Sequence, residues 1–236
     1  RGRASLQEYV YVQLGEGVAV TGQEEEALIL SAPSCTEVRG AMSLISLESA
    51  QKSFEAEAAG RDFEAIQAQA QKIWDDQLGK FIVEGNTEDR KTVFYTALYR
   101  AFQRMTDLTE HGQYFSGFDG KVHAGVFYSN DGLWDTIRCM HHLQLLVDER
   151  RHKDILASYV EMYKQSGLMP CFPGIEGDLP VMIGFHAASL FADAMAKGVE
   201  ADYETAYEGI RKNAMEQSMM PWACNAPAGP EEECYW

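Results

Sequence analysis

The 236-residue sequence is short of positive charge: 20 Lys and Arg against 36 Asp and Glu give a formal net charge of −16. A phosphate backbone is bound by clustered cations, and none are clustered here, which weighs against nucleic acid as a partner. There is no apolar run of about 18–20 residues, so no segment is expected to span a membrane. The five cysteines contain no C-x-x-C pair, and they are too sparse for a small disulfide scaffold. They read as buried or incidental thiols. Residues 1–20 lack the apolar core and small-residue cleavage site of a signal peptide. EF-hand loops, P-loops, dinucleotide fingerprints and H-E-x-x-H helices are also missing. Apolar residues are not scarce. At 46% hydrophobic and 11% aromatic the composition supports a sizeable core and excludes a disordered chain.

Up to residue 46 the pattern has period two. In LQEYVYVQL, Leu6, Val10, Val12 and Leu14 share one face, while Tyr9 and Tyr11 share the other. GVAV, ALILS and AMSLIS follow as further short strands between Gly-rich or acidic turns. So few strands do not close a stable sheet, so this region is expected to complete a β-domain whose other strands lie elsewhere. From Leu47 the period changes to 3.6. Ala50, Phe54 and Ala58, then Phe63, Ile66, Ala70, Ile73 and Trp74, mark two helices suited to a domain junction. Helices are then expected over Thr87–Arg104, 132–147, Asp154–Ser166, Gly184–Lys197 and Asp202–Ser218. Between them lie loops, 105–130 and 167–181, rich in Gly, Asp, Phe and His. Helical hairpins with polar, aromatic loops at one end are the layout of an (α/α) toroid, and loops this long are usually functional. Two or three hairpins do not close such a ring, so more chain is expected beyond Trp236.

Three stretches combine carboxylates, aromatics and glycines. YFSGFDGKVH holds Phe118, Asp119 and His123, NDGLWDTIR holds Trp134, Asp135 and Arg138, and PCFPGIEGDLPVMIGFH holds Glu176, Asp178 and His186. Sugar rings have apolar faces edged by hydroxyls, so their sites use Trp and Phe platforms with Asp, Arg and His around the rim. Splitting a glycosidic bond needs two carboxyl groups, one of them protonated. Each residue also has a plainer reading. Asp119 suits a turn, and Asp135 complements a helix dipole. His186 suits a satisfied core position, and His141 and His142 face different ways, which does not suit a metal pair.

TVFYTALYR (92–100), GFDGKVH (117–123), LWDTIR (133–138), QSGLMP (165–170), MIGFH (182–186) and ADAMAKG (192–198) resemble, in order and spacing, glycoside hydrolase family 92. This is the family of calcium-dependent, inverting, exo-acting α-mannosidases. SLESAQKSFEAE and WDDQLGKFIVEG fit the same pattern. The resemblance implies a mainly α chain. Residues 1–46 would be the last strands of an N-terminal β-sandwich, 47–80 linker helices, and 81–236 the first half of an (α/α)6 barrel. It implies mannose-containing glycans as substrate, the remainder of the barrel as partner, and an extracellular or periplasmic setting. Calcium is implied as cofactor, with ligands mainly beyond Trp236.

The family's general acid is a glutamate four residues before the Met-Ile-Gly motif. Here that position is Asp178, one methylene shorter and without the family's flanking Asn and Thr, and Glu176 stands nearby as the alternative. Trp134, Asp135 and Arg138 resemble residues lining the sugar subsite, which Phe118, Asp119 and His186 are expected to extend. The family's general-base motif has no counterpart in this chain. Two other readings stand beside the hydrolase: a non-catalytic carbohydrate-binding or assembly fragment, and a different (α/α)-toroid carbohydrate enzyme.

Overall fold

The computed structural model describes residues 6–24, 27–32, 37–85, 87–179, 181–182 and 186–215. The expected helix start at Gly184, the middle of the MIGFH motif, Cys35, Cys224, Cys234 and the continuation to Ser218 lie outside them. The chain divides into two compact units, residues 7–73 and the residues from Trp74 onward, with the division inside a helix.

In the first unit, β1 (Tyr9–Leu14) pairs antiparallel with β4 (Val38–Ser43), Tyr9 opposite Ser43 and Leu14 opposite Val38. Between them β2 (Ala19–Glu24) pairs with β3 (Ala27–Ser31), with an irregularity between Val20 and Gly22. The period-two pattern of β1 is real, and its tyrosine face is the one that packs. Tyr11 lies 5.0 Å from Phe54, while Val10 and Val12 are 56% and 45% exposed. Phe54 belongs to α1 (Leu47–Glu57), whose start is fixed by Ser46: its side chain accepts the Ser49 N–H at 3.1 Å. α1 buries Ala50 and Phe54, whereas α2 (Phe63–Leu78) buries no residue.

The second unit opens with α3 (Glu88–Phe102). Thr87 caps it, Glu88 and Asp89 complement its dipole, and Leu98 and Phe102 are buried. The two stretches read as loops contain short antiparallel pairs. β5 (Thr106–Asp107) pairs with β8 (Tyr128–Ser129), β6 (Gln113–Ser116) with β7 (Lys121–Ala124), and β9 (Pro173–Gly174) with β10 (Gly177–Asp178). Strands of two to four residues carry too little periodicity to be read from sequence. The helix expected over 132–147 is two pieces, α4 (Leu133–Thr136) and α5 (Met140–Val147), separated where Cys139 leaves the helical region at φ −158°. α6 (Glu149–Ser166) starts earlier than Asp154 because Asp148 accepts the Arg151 N–H at 3.2 Å and caps it. It ends at Gly167, φ +79°, whose N–H returns to the Tyr163 carbonyl. α7 (His186–Ala196) and α8 (Tyr203–Met215) follow.

α6 is the spine of this unit. Ile155, Leu156, Tyr159 and Met162 are fully buried among Phe127, Leu133, Leu190, Phe191 and Ala194. Gly209 of α8 sits against the Tyr163 ring, where a Cβ would stand 2.9 Å away. Among the described residues no helix is long and apolar enough to cross a membrane.

Candidate active site

Asp178 ends the hairpin β9–β10, whose connection is Ile175-Glu176. Its carboxylate folds back on its own hairpin, where Oδ1 accepts the Phe172 N–H at 2.8 Å and both oxygens accept the Cys171 N–H at 3.1 Å. No cation pairs with it among the described residues. Burial pushes its pKa up to about 6, against the pull of the Phe172 and Cys171 N–H groups, which favour the charged form. The same burial, together with the charge of Asp178, drives the Cys171 thiol to about 12, so that cysteine is not a nucleophile.

Two contacts fix the hairpin in place. Gly117 crosses it backbone on backbone: a Cβ there would stand 2.2 Å from the Ile175 carbonyl oxygen and 2.3 Å from the Glu176 carbonyl carbon. On the other side, the Asp131 N–H donates to the Pro173 carbonyl (2.8 Å) and the Ser129 hydroxyl to the Gly174 carbonyl (2.8 Å). The three stretches singled out in the sequence therefore meet at this hairpin. Glu176 is placed at its tip, where its backbone is part of the Gly117 crossing.

Asp131 leads directly into α4. Trp134 is half-buried on α4, with the Arg138 guanidinium 4.4 Å above its ring and His186 edge-on at 5.3 Å. The Nε2 of His186 is buried and makes no hydrogen bond with any described residue. Asp135, in the first turn of α4, is exposed. Trp134, Arg138, His186 and the Asp178 hairpin thus share one region.

Phe118 and Asp119 belong to the edge of it. Phe118 packs against the core, 6.5 Å from Phe127. Asp119 serves its own hairpin, accepting the Lys121 N–H and holding His123 Nε2 at 3.0 and 3.1 Å.

Sequence reasoning did not single out Asp131, Tyr159 or Arg104. Asp131 and Tyr159 are fully buried. One Asp131 oxygen accepts the Tyr159 hydroxyl (2.7 Å) and contacts His141 Nε2 (2.8 Å), while the other accepts the Thr136 hydroxyl (2.7 Å). Burial works to raise the Asp131 carboxyl. The hydrogen bonds from His141, Thr136 and Tyr159 outweigh it and hold the group below the usual carboxylate range. His142 faces the other way, onto Asp193 at 2.7 Å. Only the adjacency of Asp131 to LWDT hinted at its position.

No three His, Cys, Asp or Glu side chains among the described residues converge to hold a metal ion. The described residues do not by themselves make a calcium site.

Residues 49–233 match the family model described as the glycosyl hydrolase family 92 catalytic domain. Among solved structures, the chain is similar to the family GH92 inverting mannosidase of Bacteroides thetaiotaomicron VPI-5482, with 27% identity and a TM-score of 0.77 over 89% of this chain. It is also similar in fold to a family GH92 α-mannosidase of Bacteroides thetaiotaomicron in complex with mannoimidazole, with 24% identity and a TM-score of 0.75 over 89% of this chain. It covers 32% of each of those chains, about a third of their length. No curated protein shows significant sequence similarity to it. The fold class is the expected one, strands of the β-sandwich followed by helices of the (α/α)6 barrel.

Proposed function

The chain belongs to glycosyl hydrolase family 92, and from that premise we propose that it supplies part of the site of an inverting, exo-acting α-mannosidase acting on terminal α-linked mannose of glycans. In this reading Asp178 is the general acid. It gives its proton to the glycosidic oxygen as the bond to the terminal mannose breaks, and a base on the opposite face activates water, about 6.5–9.5 Å from the acid. No residue of this chain is assigned to that base. Trp134 offers its indole as a platform for the apolar face of the ring, held by the Arg138 guanidinium stacked above it. In this reading Asp135 and His186 hydrogen-bond its hydroxyls.

The observation that carries the reading is the state of Asp178. A proton donor needs a pKa close to working pH, and burial with no cation partner among the described residues pushes this carboxyl up to about 6. An aspartate in an ordinary solvated loop would be ionised there. Glu176, at the hairpin tip, is the secondary candidate. A calcium requirement and an extracellular or periplasmic setting are inferred from the family and its substrate class.

The test is to follow the full-length protein acting on α-linked mannobiose by proton NMR, with calcium and with chelator. β-Mannose as the first product, lost on chelation, supports the reading. α-Mannose as the first product, or no release, overturns it.

A further inference from the structure

Arg104 lies just past the end of α3, and its backbone is pinned. The Gln144 side-chain amide donates to its carbonyl at 2.6 Å and to the Ala101 carbonyl at 2.9 Å, and Met105 beyond it is 1% exposed. Its side chain is exposed. The guanidinium reaches over the residue that leads into α4: a Cβ on Gly132 would stand 3.4 Å from Arg104 Nη1 and 3.1 Å from Phe172 Cζ. Gly132 thus lies in close contact with both a cationic fork and an aromatic ring, with too little room between them for a methyl group. This cluster adjoins the acid on one side, because the Phe172 N–H holds Asp178. On the other side it adjoins the sugar platform, because Gly132 is two residues ahead of Trp134.

The guanidinium makes no ion pair or hydrogen bond with any described residue, in a chain with 36 acidic residues against 20 basic ones. It does not pair with Asp178 either, whose pKa is set by burial and backbone N–H groups alone. An unpaired fork of N–H donors beside an aromatic ring suits adjacent hydroxyls on a sugar whose apolar face rests on that ring.

Given the mannosidase reading above, on which this depends, the geometry points to Arg104 as a substrate-binding residue for the departing sugar. That is the sugar released when Asp178 protonates the glycosidic oxygen. The terminal mannose occupies the Trp134 side, and the leaving group is by necessity next to the acid, where Arg104 and Phe172 stand. Arg104 thereby sets which mannosides are good substrates and takes no part in proton transfer.

The experiment compares Arg104→Ala and Arg104→Lys with the wild-type full-length protein on α-mannobiose and on an aryl mannoside, which has no departing sugar. Arg104→Ala is expected to raise KM for mannobiose about tenfold or more with kcat little changed, as for loss of a charge-assisted contact. Its KM for the aryl mannoside stays near wild type, and Arg104→Lys falls between. Unchanged mannobiose KM overturns the inference, as does an equal KM rise on both substrates. A fall in kcat with a lowered melting temperature also overturns it, by assigning Arg104 a structural role. If the wild type hydrolyses neither substrate, the proposed function itself fails.

Discussion

The Tyr159 hydroxyl donates to Asp131 Oδ2 at 2.7 Å, and both side chains are wholly buried. Through His141 and Thr136 the same carboxylate also ties α5 and α4 to α6, and its own N–H grips the Asp178 hairpin at Pro173. Removing the phenol oxygen leaves Asp131 with its other donors, so Tyr159→Phe is expected to cost about 1–2 kcal/mol. Asp131→Ala strands the buried Tyr159 hydroxyl and His141 Nε2, leaves Thr136 only the Gly132 carbonyl, and is expected to cost about 3–5 kcal/mol. Urea unfolding of both variants checks the order; equal costs would mean that the Tyr159 bond is the only one of the three that matters.

Two buried groups give stability an unusual dependence on pH. His152 has its pKa lowered to about 4, by burial first and then by the nearby His141. The unfolded chain takes up that proton first, so this contribution is present above pH ~6.5 and lost as pH falls toward ~4. Asp178 works in the opposite sense. Its pKa is raised, so its contribution is full below pH ~4 and lost as pH rises through ~6. The two nearly cancel between pH 4 and 6.5 in the wild type. Asp178→Asn is expected to match the wild type in stability at pH 4, exceed it at pH 8, and lose stability more steeply on acidification. Melting temperatures across that range test this, and a variant less stable than wild type at pH 8 would show that the carboxylate's hydrogen bonds to Cys171 and Phe172 dominate.

Gly117 has no room for a side chain. A Cβ would sit 2.2 Å from the Ile175 carbonyl oxygen, and both strands of the crossing are backbone. Gly117→Ala is expected to displace the Asp178 hairpin and cost at least the roughly 1–3 kcal/mol of ordinary overpacking. At Gly60 nothing lies within 4 Å, and only the backbone angle, φ +69°, opposes a side chain. Gly60→Ala is expected to cost about 1–2 kcal/mol and to leave activity unchanged. Comparable loss of activity in both variants would show that the crossing does not position the hairpin.

The sequence exposed the long-period features of this fold and hid the short-range ones. The switch to helical period at Leu47, a helix opening near Thr87 and a helix ending at Ser166 before Gly167 are all read directly from residue spacing and end signals. The break at Cys139 is not, because Leu133, Ile137 and Leu145 continue a helical stripe across it. The start of α6 was masked by the charged run Asp148–Asp154, where the cap is one carboxylate among several. At the site, Trp134 and Asp178 stood out through their motifs, which the fold then brought to one hairpin. Arg104 and Asp131 left no pattern. Their roles come from which backbone lies beside them, namely Gly132 and Pro173, and that is a tertiary fact.

If Asp178 donates the proton, its removal acts on the rate according to the leaving group. An activated aryl leaving group departs without protonation, whereas a sugar does not. Asp178→Asn in the full-length protein is expected to slow mannobiose hydrolysis by about 100-fold or more while leaving an activated aryl mannoside within a few-fold of wild type. Equal slowing of both substrates, or none on mannobiose, would contradict it.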